Sequence, residues 1–168
     1  MTTATADYVV PAQSGAADGL ALAGRILIAA IFVLSGLAKL SDPAGTAAYV
    51  ASVGLPAPAM AAWGAALLEL VGGVALVVGF RTRLVAIALA AFSVVAAVIF
   101  HSALGDQNQF IHFFKNVAMA GGLLQVAAFG PGRFALTRYD KHPPRGAGFP
   151  DGGPAPPLCV TRPWSLLV

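Results

Sequence analysis

The stretch PAMAAWGAALLELVGGVALVVGF, residues 58–80, decides the fold, because it is long and apolar enough to cross a bilayer as a helix. Its one ionisable side chain, that of Glu69, lies near the middle, where nothing in the stretch could neutralise it. An ionisable group at the centre of a span costs roughly 2.5 kcal/mol or more, and it usually faces other helices and finds a partner there. A functional site is therefore expected where Glu69 meets its partner.

The composition places the whole chain in a membrane. Of its 168 residues, 58% are apolar and 10% are charged, whereas soluble domains average about 25% charged residues. The net charge of +3 comes from few, scattered basic residues, which does not favour nucleic-acid binding. The single cysteine, Cys159, excludes an intrachain disulfide and an all-cysteine metal site within this sequence. Residues 1–18 lack the pattern of a cleavable signal peptide, so the first apolar segment is expected to direct insertion.

Four apolar segments predict an all-α integral membrane protein. They cover about residues 20–40, 58–80, 84–100 and 109–129. Each has about 17–23 residues, which is enough to cross roughly 30 Å of hydrocarbon. Short connections favour an antiparallel four-helix bundle, with the second and third spans forming a tight hairpin around residues 81–83. The pairs Gly72-Gly73 and Gly121-Gly122 are expected to be points of close helix contact.

Basic residues in the short loops predict the orientation. Arg81 and Arg83 follow the second span and lie on the same side as the basic residues after the fourth span. Both termini are therefore predicted to be cytoplasmic. Loops 41–56 and 101–108 are predicted to face outward, the first of them with a short amphipathic helix around residues 44–53.

The predicted membrane domain covers residues 19–136. Before it, residues 1–18 are expected to be a flexible N-terminal segment. After it, residues 137–168 are rich in Pro and Gly and are expected to be a disordered tail. The sequence does not indicate a role for this tail or for Cys159.

Ionisable side chains converge on the outer half of the predicted bundle. Glu69 lies about 16 Å, and Lys115 about 9 Å, below the outer start of its span. Lys39 and His101 lie near the outer ends of the first and third spans. Because helical side chains lean toward the N-terminus of their own helix, all four are expected to point into one outward-facing pocket.

One face of the fourth span extends this pocket, since His112, Lys115 and Asn116 are spaced i, i+3 and i+4. The candidate catalytic residues are Glu69, Lys115 and His101. The candidate substrate- or quinone-binding residues are Lys39, Glu69, His101, His112, Lys115 and Asn116. No spacing of His, Glu and Asp is diagnostic of a metal site, so none is predicted.

Each candidate also has a purely structural interpretation. Glu69 and Lys115 could form a buried ion pair that fixes the register of two helices. Lys39 could simply extend its ammonium to the interface, as is expected of Arg25 near the inner end of the first span. His101 could do no more than cap its helix.

Short motifs follow one another along the four spans. They are Arg25, SGLAKL at 35–40, GLP at 54–56, LELVGG at 68–73, GFRTR at 79–83, FH at 100–101, FFKNVAMAGG at 113–122 and GPGR at 130–133. In this order, over about residues 20–136, the chain resembles the DoxX family of small bacterial membrane proteins. The resemblance implies a four-helix protein of the bacterial inner (plasma) membrane. It also implies recurring polar positions at Lys39, Glu69, His101, Lys115 and Asn116.

The resemblance implies a redox-linked role: quinone-coupled oxidation of a sulfur compound such as thiosulfate, or the handling of thiol and oxidative stress. A quinone would enter from the bilayer, with Lys115, Lys39 or His101 donating to its carbonyl and Glu69 relaying protons. No covalent or metal cofactor is evident. The alternative is a non-catalytic membrane subunit that anchors or assembles a redox partner, or that binds a small anion or lipid. A transporter is a third interpretation, and whether the chain is an enzyme stays open.

Overall fold

The computed structural model describes residues 15–137, and all of these lie in one compact unit. Residues 1–14 and 138–168, with Cys159 and nearly all of the predicted tail, lie outside the described residues. The described part contains five helices and no strand, which confirms the all-α class. The helices are α1 (Gly15–Ser41), α2 (Pro43–Ser52), α3 (Pro58–Val78), α4 (Thr82–Phe100) and α5 (Gln107–Phe129).

The helix ends follow from local sequence. Asp42 caps α2 by accepting a hydrogen bond from the backbone nitrogen of Gly45 at 2.9 Å, and Asp106 caps α5 in the same way. Helix α3 ends before Gly79, whose φ of 76° lies in the left-handed region that glycine adopts most readily. The short α2 lies within the first predicted outward loop, as expected from residues 44–53.

Polarity is distributed as in a membrane protein, with apolar side chains outside and several polar ones inside. Leu27 and Val71 are exposed, whereas Arg25 and Glu69 are buried. Helices α1, α3 and α4 are long and apolar enough to cross a membrane. Helix α5, with 23 residues, is also long enough, but polar residues in its first half lower its hydropathy. That α5 crosses the membrane, and that both termini are cytoplasmic, stay predictions.

The long helices pack as antiparallel neighbours. Helix α1 packs most extensively against α3, and α4 against α5. Lys39, near the C-terminal end of α1, contacts Glu69 in the middle of α3, and Arg25, in the first half of α1, contacts Leu76 toward the end of α3. The turn between α3 and α4 is short, as predicted. However, α3 contacts α4 less extensively than a tight hairpin would give, because α3 packs most closely against α1.

Glycines allow α1 and α3 to approach closely. A Cβ atom at Gly36 would lie 2.9 Å from a backbone nitrogen of α3, and one at Gly73 would lie 2.8 Å from a side chain of α1. Gly72 and Gly122 also face neighbouring helices, but Gly121 has nothing within 4 Å. Three of the four predicted contact glycines are therefore in close contact, and Gly36 adds a fourth.

The residues after α5 fold back over the ends of α1 and α3. The backbone nitrogen of Leu136 donates to the carbonyl of Val78 at 3.0 Å, and that of Arg133 donates to the Asp18 carboxylate at 3.0 Å. We call residues 130–137 the C-terminal strap. It closes the end of the helix assembly opposite to Lys39 and His101.

Arg25 holds this strap from inside the protein. It is only 1% exposed, and it donates to the carbonyls of Leu76 at 3.1 Å, Val77 at 3.4 Å and Phe134. The prediction that Arg25 reaches out to the membrane interface is therefore wrong. The guanidinium turns inward because the last carbonyls of α3 have no partners within their own helix and need donors.

Candidate functional site

A cavity of about 310 Å³ lies among the helices, and residues of all five contribute to its lining. This volume is at the lower end of the range of roughly 300–1,000 Å³ typical of ligand pockets. Most of the lining is apolar, with phenylalanine, isoleucine and alanine side chains from α1, α3 and α4. The polar lining residues are Ser35, Lys39, Thr46, Tyr49, Glu69, His101, Lys115 and Asn116. The cavity therefore combines apolar walls with a few polar groups.

The first polar group joins α1 to α3. Lys39 Nζ lies 2.7 Å from Glu69 Oε2 and also donates to Ser35 Oγ at 2.7 Å. The Ser35 hydroxyl donates to Glu69 Oε1 at 3.2 Å, so both carboxylate oxygens have partners. The Glu69 side chain is 7% exposed and that of Lys39 is 27% exposed. This is a largely buried ion pair with one edge open to the cavity.

Local sequence on α1 explains this arrangement. Ser35 and Lys39 are four residues apart and therefore lie on one face of the helix. Gly36 lies beside them and lets that face approach the backbone of α3 next to Glu69. The structural alternative in which Glu69 pairs with Lys115 is therefore wrong, because α1 approaches α3 more closely than α5 does.

The second polar group joins α4 to α5. His101 Nδ1 lies 2.8 Å from Gln109 Oε1, and its ring stacks on that of His112 with centroids 5.1 Å apart. An amide oxygen can only accept, so His101 Nδ1 donates to Gln109 and Nε2 is the ring nitrogen that this contact leaves unused. Lys115 Nζ lies 3.1 Å from His112 Nδ1. Asn116 Nδ2 donates to the carbonyl of His112 at 3.0 Å.

Helix α2 contributes a third side of the cavity. The ring of Tyr49 stacks on Phe100 of α4 with centroids 5.4 Å apart, and the Tyr49 hydroxyl donates to the Phe100 carbonyl at 3.5 Å. Thr46 and Val50 of the same helix also line the cavity. The short helix therefore lies against both α3 and α4 beside the two polar groups.

The structure brings five of the six predicted binding residues into the lining: Lys39, Glu69, His101, Lys115 and Asn116. His112 is not a lining residue, but it supports two of them, through its stack with His101 and its contact with Lys115. Sequence reasoning assigned no site role to Ser35 or Tyr49. For Ser35 a signal was present, since it lies one turn before Lys39 and beside a glycine.

Comparison with known proteins places the chain in a family. The DoxX family model matches residues 20–102. The Escherichia coli (strain K12) inner membrane protein YqjF is 35% identical over 117 residues, which cover 70% of this chain and 88% of YqjF. The chain belongs to the DoxX family. A second E. coli relative, the inner membrane protein YphA, is 37% identical over 124 residues, which cover 71% of this chain and 89% of YphA.

These relatives and the three apolar helices make this DoxX-family chain a multi-pass protein of the inner membrane. A further relative, from Bacillus subtilis (strain 168), bears the name "Putative oxidoreductase CatD". It is 36% identical over 75 residues, which cover 45% of this chain and 54% of that protein. No solved structure matches the DoxX-family chain significantly.

Proposed function

We propose that this DoxX-family protein binds a lipid-soluble quinone in the cavity and takes part in a redox reaction at the membrane. The observation that carries the proposal is the make-up of the cavity. Apolar walls suit a ring that arrives from the bilayer, and the two polar groups retain unused hydrogen-bonding capacity.

The hydrogen bonds of the two lysines leave donors for a ligand. A lysine ammonium has three N–H donors. Lys39 uses one on Ser35 and one on Glu69, so one remains. Lys115 uses one on His112, so two remain. A quinone carbonyl accepts hydrogen bonds from such donors, so the chemistry of the residues present fits a quinone.

Acceptors are also available, as the reduced form of the ligand would require. His101 lines the cavity and its Nδ1 is held by Gln109, so Nε2 is the ring nitrogen that can exchange a proton with a ligand. Glu69 also lines the cavity, and its carboxylate accepts hydrogen bonds from Ser35 and Lys39. A bound quinone supplies a two-electron, two-proton couple. In our proposal His101 and Glu69 hold and pass the protons, and Lys115 orients the carbonyl.

The family resemblance suggests a sulfur compound such as thiosulfate as the reductant. The cationic Lys115 at the cavity is compatible with the approach of an anion. The name of the B. subtilis relative adds modest support for an oxidoreductase. In the alternative of a non-catalytic subunit, the same cavity would bind its ligand without turnover.

The test compares two substitutions on one helix. Ala96 lines the cavity and Ala91 is exposed on the outer face of α4. Ala96→Phe should fill the cavity, whereas Ala91→Phe adds the same ring outside it. Wild type and both variants would be placed in lipid nanodiscs, and the binding of short-tailed benzoquinone and naphthoquinone analogues would be measured by titration calorimetry.

We expect the wild type and Ala91→Phe to bind, and Ala96→Phe to lose at least about tenfold in affinity. Equal binding by all three proteins, or no binding to any, would refute the proposal. Thiosulfate-dependent reduction of the bound analogue would then be followed optically. Binding without turnover would favour the non-catalytic subunit over the enzyme.

A further inference from the structure

The formal charges of the cavity lining do not cancel. Among the lining residues, all of which the structure describes, the side chains that carry a formal charge are those of Lys39, Glu69 and Lys115. Two cations face one anion. A cation without a carboxylate partner at the edge of an apolar cavity leaves a charge that an anionic ligand group can meet.

The two lysines differ in whether a carboxylate neutralises their charge. Lys39 lies 2.7 Å from the buried Glu69 carboxylate and is neutralised by it. Lys115 has no carboxylate within 4.0 Å among residues 15–137; its partner is His112 Nδ1 at 3.1 Å. Because an ammonium can only donate, His112 Nδ1 must accept, and the imidazole next to Lys115 is then neutral. The surplus charge of the cavity is therefore that of Lys115.

Neighbouring groups hold Lys115 in place without neutralising it. The His112 ring that contacts it is fixed by stacking on His101, which in turn is held by Gln109. Asn116, on the same face of α5, is anchored on the carbonyl of His112. Orienting a lysine through neutral partners leaves its charge available to a ligand.

We infer that Lys115 is the anion-binding residue of the cavity and that the ligand group it meets is anionic. The inference rests on the cavity being the binding site, as in the proposed function, and adds its charge selectivity. The negative charge could belong to the ligand that fills the apolar walls, such as an ionised hydroxyquinone or a long-chain carboxylate. It could also belong to a separate small anion such as thiosulfate.

Matched ligand pairs separate these sources. A 3-alkyl-2-hydroxy-1,4-naphthoquinone, which is ionised at neutral pH, would be compared with its neutral 2-methoxy ether. Dodecanoate would be compared with dodecanol, and thiosulfate would be tested alone and together with the methoxy ether. Affinities would be measured in nanodiscs of zwitterionic lipid for the wild type, Lys115→Met, Lys115→Arg and Arg83→Met. Arg83 is an exposed cation outside the cavity lining and serves as the control.

We expect the charged member of at least one pair to bind the wild type at least about tenfold more tightly than its neutral partner. Lys115→Met should abolish this preference, whereas Lys115→Arg and Arg83→Met should keep it. If thiosulfate alone binds, or strengthens binding of the ether, and Lys115→Met removes that effect, the anion is a separate small one.

Failures of the two proposals can be told apart. If the naphthoquinones do not bind but dodecanoate binds through Lys115, the quinone proposal fails and the anion site stands. If both naphthoquinones bind equally and Lys115→Met changes nothing, the quinone proposal stands and the anion site is refuted. If none of the anions binds in a Lys115-dependent way, Lys115 only extends its charge to the membrane interface and the inference is wrong.

Discussion

Replacing Lys39 with methionine should destabilise the protein by about 3 kcal/mol. Methionine keeps most of the length of the side chain but removes the ammonium that lies 2.7 Å from Glu69. The carboxylate, 7% exposed, would keep one hydrogen bond, from the Ser35 hydroxyl at 3.2 Å. Removing one partner of a buried ion pair costs roughly 3–5 kcal/mol, since the other charge is left uncompensated. The lower end applies here because Lys39 itself is 27% exposed.

The matched control is Lys115→Met. It makes the same substitution at the other cavity lysine, which is exposed and has a neutral partner. Its cost should be at most about 1 kcal/mol, as for exposed polar pairs. The double variant Lys39→Met/Glu69→Gln removes the stranded charge, so it should be more stable than Lys39→Met alone by about 2 kcal/mol.

The free energy of unfolding would be measured by SDS titration in mixed micelles, with helicity followed by circular dichroism. The reasoning would be refuted if Lys115→Met were the more destabilising single change, or if Glu69→Gln rescued Lys115→Met rather than Lys39→Met. Either result would mean that Glu69 is paired with α5 and that the packing of α1 on α3 is not as described.

Two further predictions concern packing and use the same unfolding measurement. Gly36→Ala should lower the free energy of unfolding by about 1–3 kcal/mol, because the added Cβ would lie 2.9 Å from the backbone nitrogen of Leu70 and overpack the contact. The control is Gly24→Ala on the same helix, which should be neutral or stabilising because nothing lies within 4 Å of the added Cβ. Equal effects at the two glycines would contradict the close approach of α1 to α3. Arg25→Met should lower the free energy of unfolding by about 3 kcal/mol, because it leaves buried carbonyls of α3 without donors. The control, Arg83→Met, removes an exposed arginine and should change the free energy of unfolding by less than about 0.5 kcal/mol. A neutral Arg25→Met would mean that the strap is held by its backbone bonds alone.

Helix positions were predictable because hydrophobic length is a strong signal. The second segment was predicted to start at residue 58, and α3 does begin at Pro58. The third was predicted to end at residue 100, where α4 ends. The largest error is at the start of α1, which begins at Gly15 rather than near residue 20. The reason is that helical hydrogen bonding continues past the apolar part of a segment.

The members of the site were predictable, but their pairing was not. Counting residues from the outer end of each span placed Lys39, Glu69, His101 and Lys115 in the outer half of the bundle. All four do line the cavity. Depth says nothing about how each helix is rotated or which neighbours touch most closely. Helix α1 approaches α3 beside Glu69 because Gly36 has no side chain to keep the two backbones apart. A single sequence does not show which of its many glycines lies at such a contact.

Arg25 shows a second limit of sequence reasoning. Its position near the inner end of a span is typical of an interfacial anchor. Its actual partners include the carbonyl of Phe134, 109 residues away in the chain. A contact of that range depends on the C-terminal strap folding back, for which the local sequence offers only turn-forming residues: Pro131 and the glycines Gly130 and Gly132, both with positive φ.

The cavity itself weighs against a purely structural role for the ion pair. Replacing a buried ion pair with packed apolar side chains is often neutral or stabilising, so stability alone does not explain why Lys39 and Glu69 are present. The wall of α3 beside the pair is built from alanines, Ala61, Ala62 and Ala65, which leave space instead of filling it. A membrane anchor needs neither feature, because a packed apolar interior would serve it better. An ion pair that opens onto an unfilled cavity, with a second lysine whose charge is unmatched among the described residues, is more readily explained as a binding site than as a means of fixing helix register.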